Sequence, residues 1–400
     1  MSADDPSSED LSSPVGGSKP AAPAVPAALA GGRSERAVPA ADAAAFRAQF
    51  PVFERVSYLN AGTDGPIPRR AFDASADATR AVLARGRSGP AHWEKLGEMG
   101  AAMRRRYASL LGCEESEVAL TRSSADGINA VVSGLALNAS DELLSSDEEH
   151  PSLLAPLASA ARRSGASIRI VPFGELVGEI GPRTRLIACS HVSWITGSVI
   201  DTQALAGCGV PVLLDGAQAL GAIAVDVRGL GCDYYAAAGQ KWLCGPDGTG
   251  VLYVRSGCIE ALAPSWTSYF SLRDPDAALE LPFHPGAARF DMGNVIGTLA
   301  AWVLAALDVL EDAGWDWVFE RGPRLAARLE QLLRERGVEV LPRGQSTLVT
   351  WRSDDALRGA AALAEQGLIV RDLPGNGLIR ASVGAWSSEE ELERLAALAG

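Results

Sequence analysis

The sequence predicts an α/β protein whose large domain holds a mostly parallel sheet of seven strands, followed by a smaller C-terminal α+β domain. Two observations carry the first part. The β-type runs are apolar throughout rather than alternating, and helical stretches separate them, which is the pattern of a sheet buried on both faces. The second part rests on a change of character after Phe290, where long helices give way to short strands.

Residues 1–42 are rich in Ser, Pro, Ala and Gly and poor in large apolar side chains, so they read as a disordered tail. Folded structure is expected from Ala43, where Phe46, Phe50, Val52 and Phe53 cluster. The strands are expected at Val118–Thr121, Glu142–Ser145, Ile168–Val171, Leu186–Ser190, Val210–Asp215, Tyr234–Ala237 and Gly250–Val254. Helices are expected at Ala125–Leu135 and Ser152–Ser164 between them. Gly297–Ala313 reads as a long apolar helix and Arg324–Arg336 as an amphipathic one opened by Pro323. Ser387-Ser388-Glu389-Glu390 starts a last helix.

Charge and composition exclude several classes. A formal net charge of −13 does not suit a nucleic-acid surface, which needs clustered cations. No apolar run approaches the roughly 18 residues of a membrane span. The acidic start, MSADDPSSED, fits neither a secretory signal nor a transit peptide, so a cytoplasmic protein is expected. The six cysteines are scattered without CxxC pairs; reduced thiols and no metal site are expected.

Among 36 basic residues only Lys19, Lys95 and Lys241 are lysines. Lys19 lies in the tail and Lys95 on an expected exposed helix. Lys241 instead follows a strand through Gly239 and precedes Gly245-Pro246, at a sheet edge, where partial burial lowers an amine's pKa and favours covalent carbonyl chemistry. Asp215 ends the apolar run Val212-Leu213-Leu214. A carboxylate there is unfavourable without a charged partner, although an Asp capping the next turn looks the same. Arg122–Asn129 joins hydroxyls to a helix start, which suits an anion or a plain serine cap.

In combination, Asp215-Gly216-Ala217-Gln218, Asp233-Tyr234-Tyr235 and Gly239-Gln240-Lys241-Trp242 resemble the class V aminotransferase family of fold-type I pyridoxal 5′-phosphate (PLP) enzymes, which includes cysteine desulfurases. Within it the chain looks most like the cystine/cysteine C–S lyases, which resemble it in carrying a tryptophan at position 194. The resemblance implies PLP held covalently by Lys241, with Asp215 at its ring nitrogen, His150 (in Glu149-His150-Pro151) stacked on the ring and Gln218 at the ring hydroxyl. Lys241, His150 and Asp215 are the implied catalytic residues. Ser124, Ala125 and Gln240 fall at the cofactor phosphate, and Asn294 reaches the phosphate of a neighbouring subunit in a homodimer with shared active sites. Asn60, Trp194, Arg371 and Arg380 fall at an amino-acid substrate, with Arg380 forking onto its α-carboxylate. The implied division is a segment 43–60 packing on the small domain, a PLP-binding domain 61–290, a connecting helix 291–313 and a small domain 314–400.

The chain departs from the family in three places. Arg371–Arg380 holds no cysteine and the last one is Cys258, so sulfur transfer through a loop persulfide is not expected. Gln240 stands where a histidine usually precedes the lysine, and Ala238 where Ser or Thr is usual. The expected reaction is β-elimination with C–S cleavage. Transamination, epimerisation, or a non-catalytic protein with a degenerate PLP site are the alternatives.

Overall fold

The computed structural model describes residues 42–399. The expected tail and Lys19 lie outside the described residues, save Asp42, whose side chain caps a short helix at Ala43–Arg47. Seven strands form one sheet: β1 (Val118–Thr121), β2 (Glu142–Ser146), β3 (Ser167–Val171), β4 (Thr184–Ser190), β5 (Val212–Asp215), β6 (Tyr234–Ala238) and β7 (Gly250–Val254). Their order is β1-β7-β6-β5-β4-β2-β3. Strands β2 to β6 run parallel, and β7 is antiparallel to both β6 and β1.

The apolar runs are explained by what covers them. Leu143, Leu213, Tyr234, Ala236 and Leu252 face one core, against Ile128 and Val131 of helix α3 (Ser124–Gly134) and Leu153 and Leu157 of α4 (Pro151–Ser164). Their neighbours Leu144, Leu214, Tyr235, Ala237 and Val251 face the opposite core, with Tyr107 of α2 (Pro90–Leu111) and Val303 of α5 (Gly297–Ala313). Successive residues thus bury on opposite sides. Helix α1 (Arg69–Arg85) packs on α5.

The C-terminal part is helix α6 (Trp315–Glu335), β8 (Leu348–Arg352), α7 (Ala356–Glu365), β9 (Arg371–Leu373), β10 (Leu378–Ser382) and α8 (Glu389–Leu398). Its antiparallel sheet has the order β9-β10-β8. The short strand Ser57–Tyr58 pairs in parallel with Leu368–Ile369, and Phe46 and Phe50 pack on Trp386. Ser388, with Glu391 reaching back, is the cap of α8.

Two expectations need correction. Pro323 lies inside α6 rather than opening a helix. The segment before it also buries Val318 and Gly322 and stacks Trp315 on Phe319 at 5.4 Å, so the helix gains enough packing to run through the one missing N–H. The fifth strand starts at Val212, not Val210; Pro211 has no N–H to give a ladder. Lys95 does sit exposed, on α2.

Candidate active site

Two strand ends and one turn build the site. Ser190 closes β4 and Asp215 closes the adjacent β5, and the two are direct partners in the ladder. Just past the end of β6, the chain turns at Gly239-Gln240 to present Lys241. That turn is closed by backbone bonds from Gly239 N–H to Thr249 O (2.8 Å) and from Gly245 N–H to Gly239 O (2.9 Å). Cys244, three residues after the lysine, holds a left-handed φ of 56°, a strain of roughly 1–2 kcal/mol for a residue with a Cβ. The result is a cleft at the carboxyl ends of parallel strands, where α/β sheets bind ligands. Lys241, Asp215, His150, Gln218, Ser124 and Trp194 all line one opening of about 320 Å³.

The electrostatics follow from burial. Desolvation pulls the Lys241 amine down to about 8 against the pull of Asp215, with Arg380 adding to the fall. Burial raises the Asp215 carboxyl, opposed by Lys241 and by the Ala217 N–H at 2.9 Å. Burial, then Lys241, Arg371 and Arg380, push His150 down to about 4, so the ring is neutral at pH 7. Its Nδ1 accepts the Ser152 N–H at 3.1 Å, which places the ring proton on Nε2. The His150 ring meets the Trp194 ring edge-on at 4.8 Å.

The substrate-side candidates converge from the other direction. Arg371 and Arg380 are ladder partners across β9 and β10, so both side chains leave the same face. Arg380 is 1 % exposed. It donates from Nη1 to Trp194 O at 2.6 Å, and its Nε has no protein partner. Arg371 donates from Nη1 to Thr63 Oγ1 at 2.8 Å, and Thr63 in turn donates to Asn60 Oδ1. The hairpin between the two arginines turns over just four residues, 374–377, and none of the six cysteines lines the Lys241 opening.

Four expected residues remain: Gln218, Gln240, Asn294 and Ala125. The Gln218 amide is largely committed: Nε2 donates to Gly62 O (2.8 Å) and Oε1 accepts from Trp242 Nε1 (3.2 Å), leaving one N–H for a ligand. Gln240 Oε1 is buried without a partner. Asn294 is exposed and lines a separate cleft with Arg122 and Thr249, so within one chain it does not join Lys241. Ala125 follows Ser124 in the first turn of α3 but does not line the opening.

Sequence reasoning gave no individual role to Ser190, Ser152 and Ala217 on the wall, to Thr63 behind Arg371, or to Gly62. The strand-end rule would have flagged Ser190. Nothing local marks Gly62, where an added Cβ would lie 2.7 Å from Ser382 Oγ and 2.9 Å from Arg380 Nη2. Gly62→Ala should therefore displace the Arg380 guanidinium. We expect a loss of about 1–3 kcal/mol, read as a lower Tm, together with a raised KM.

The family profile for class-V aminotransferases matches residues 58–395. The chain belongs to the class-V aminotransferase family. It is similar to isopenicillin N epimerase of Streptomyces clavuligerus, 30% identical over 84% of this chain and 92% of that one. It is likewise 32% identical to a probable cysteine desulfurase of Pseudomonas aeruginosa, over 87% and 95%. Among solved structures, the cystine C–S lyase C-DES in complex with its product cysteine persulfide superposes with a TM-score of 0.82 at 27% identity, covering 88% of this chain and 99% of that one. A C-DES variant with glycine covalently linked to its PLP superposes equally well, at 28% identity over 88% and 98%. The class-V aminotransferase fold seen here is that of fold-type I PLP enzymes, and PLP is the family's cofactor.

The residues present fit PLP. A buried carboxylate, a neutral histidine, a lysine of lowered pKa and a helix N-terminus at Ser124 meet in one opening. Arg380 adds an unpartnered buried donor beyond it, next to Trp194.

Proposed function

We propose that this class-V aminotransferase-family chain is a PLP-dependent lyase that cleaves the C–S bond of a sulfur amino acid by β-elimination. The observation that carries the reading is the short, cysteine-free hairpin joining Arg371 to Arg380 beside Trp194. It offers an anion clamp but no thiol to accept sulfur, so sulfur leaves with the product. Similarity to the cystine C–S lyase supports it.

In this reading Lys241 holds PLP, Asp215 would hold its ring nitrogen, His150 would cover the ring, and Ser124 and Gln240 would receive the phosphate. PLP supplies an electron sink for charge developing at the substrate Cα. Arg380 uses its free Nε to fix the α-carboxylate, and Arg371 is held ready by Thr63. Freed from the cofactor by the incoming substrate amine, the Lys241 amine would act as the base for the α-proton. His150, as a neutral Nε2–H donor, orients the ring side of the site without competing for that proton. The Cβ–S bond then breaks, and with one water the products from cystine are pyruvate, ammonia and cysteine persulfide. The division at residue 314 belongs to the same proposal: residues 314–400 form the clamp half, and residues 43–60 ride on it through Ser57–Tyr58. Asn294 is assigned to the site of a second subunit.

The test is incubation of the PLP-loaded protein with cysteine, cystine and their conjugates. Pyruvate with sulfide or persulfide is the expected outcome, and no β-elimination from any of them would overturn the reading. A second reading, inversion at Cα, is favoured by the similarity to isopenicillin N epimerase. It predicts solvent deuterium entering Cα without pyruvate.

A further inference from the structure

The turn between β2 and α4 reads Asp147-Glu148-Glu149-His150, and each residue is tied to a different element. Asp147 Oδ1 accepts from the Phe173 N–H beyond β3 at 3.1 Å. Glu148 Oε2 accepts from Thr196 Oγ1 at 2.7 Å, on the loop that carries Trp194. His150 takes the Ser152 N–H. Glu149 is the buried member, 4 % exposed. Both its oxygens accept from the Ser190 backbone N–H, at 3.0 and 2.9 Å, and they also accept the hydroxyls of Ser190 and Ser146. Ser146 ends β2 and Ser190 ends β4, and the latter is the ladder partner of Asp215. The next residue, His191, donates its N–H to Asp215 O at 2.9 Å.

We propose that Glu149 is a positioning residue of the pocket, bracing the ends of β2 and β4 so that Asp215 and His150 meet the cofactor at a fixed separation. This rests on the PLP reading above. Glu149 touches no reacting group. It acts through Ser190 on one side and through the peptide bond to His150 on the other.

The residue type fits the task. Every partner in the brace donates, and a carboxylate offers only acceptors. An amide in its place offers one oxygen and an NH2, so at least one serine hydroxyl must turn or the Ser190 N–H is left facing a donor. Burying the charge is unfavourable unless all these bonds form, and they form only when the two strand ends are drawn together. Burial and the Asp215 carboxylate push the Glu149 carboxyl up to about 7 while the Ser146 and Ser190 bonds oppose the rise, so the all-acceptor brace is complete above that pH.

The test uses the full chain reconstituted with PLP, comparing Glu149→Leu, Glu149→Gln and Ser146→Ala with the unaltered protein. Two quantities are read: the PLP dissociation constant, and the visible circular dichroism of the bound cofactor, which responds to how the ring sits between its walls. Glu149→Leu should raise the dissociation constant by about 10–100-fold, the loss typical when the outer partners of a bound group are removed. Glu149→Gln and Ser146→Ala should raise it less, each with an altered dichroic band. The double variant carrying Glu149→Gln together with Ser146→Ala should fall short of the sum of the separate effects, because both changes cut the same brace. Wild-type affinity and an unchanged band in Glu149→Gln and Ser146→Ala, whatever their melting temperatures, would overturn the proposal. Should the Glu149 variants fail to fold, Ser146→Ala decides by the same two measurements. Failure of the PLP reading looks different, since the unaltered protein would then show no visible band.

Discussion

In Lys241→Ala, the visible absorbance of protein loaded with PLP should be lost on gel filtration, and turnover should fall by at least about 10³-fold, in the upper range for loss of a positioned general base. The structure gives the reason in two parts. Lys241 is the one lysine lining the opening among the described residues, and desolvation beside Arg380 brings it to about 8. At neutral pH a sizeable minority of the amine is therefore unprotonated, as a nucleophile and a base both require. The lowered pKa also sets a direction with pH: apo protein should take up PLP faster as pH rises, levelling above about 8. The variant removes both roles at once, and the other described lysine, Lys95, is exposed on α2 and does not line the opening. Retained absorbance in Lys241→Ala would assign the cofactor linkage elsewhere.

Arg380→Leu should raise KM by about two orders of magnitude, the range of a charge-assisted hydrogen bond made by a buried group. Burial and the nearby Arg371 pull the Arg380 guanidinium down to about 9, which still leaves it cationic at pH 7. An uncompensated buried cation is unfavourable, and Trp194 O satisfies only one of its donors. A carboxylate at the free Nε supplies the missing charge. Arg380→Lys keeps a charge but not the fork, and the single ammonium cannot hold Trp194 O and a carboxylate in the same plane, so most of the loss should persist. Steady-state kinetics on whichever amino acid is turned over separates the cases. A fall in kcat with an unchanged KM would remove Arg380 from the substrate site.

Much of the site was written locally. Asp215 could be read from an apolar run that ends in a carboxylate, and Lys241 from its place after a strand in a chain almost free of lysine. Both signals survive because burial on two faces forces continuous apolar runs, and strand ends are where polar groups regain access to ligand. The missing cysteine between Arg371 and Arg380 was equally plain, and the tight hairpin shows how little chain is there to carry one.

Sequence by itself therefore determined the sheet, the family and two of the residues, Asp215 and Lys241, that line the opening. Tertiary structure alone decided who stands behind them. Arg371 faces Arg380 because β9 and β10 share one register, and a slip of one residue would turn one of them away. Glu149 finds Ser190 across 41 positions of chain, Gln218 spends its amide on Gly62, and Thr63 reaches Arg371 across 308. Such partners leave no periodic trace. Periodicity records which face of an element is buried, whereas a hydrogen bond between distant segments depends on how whole elements cross, and that is fixed only when the packed core sets their separation.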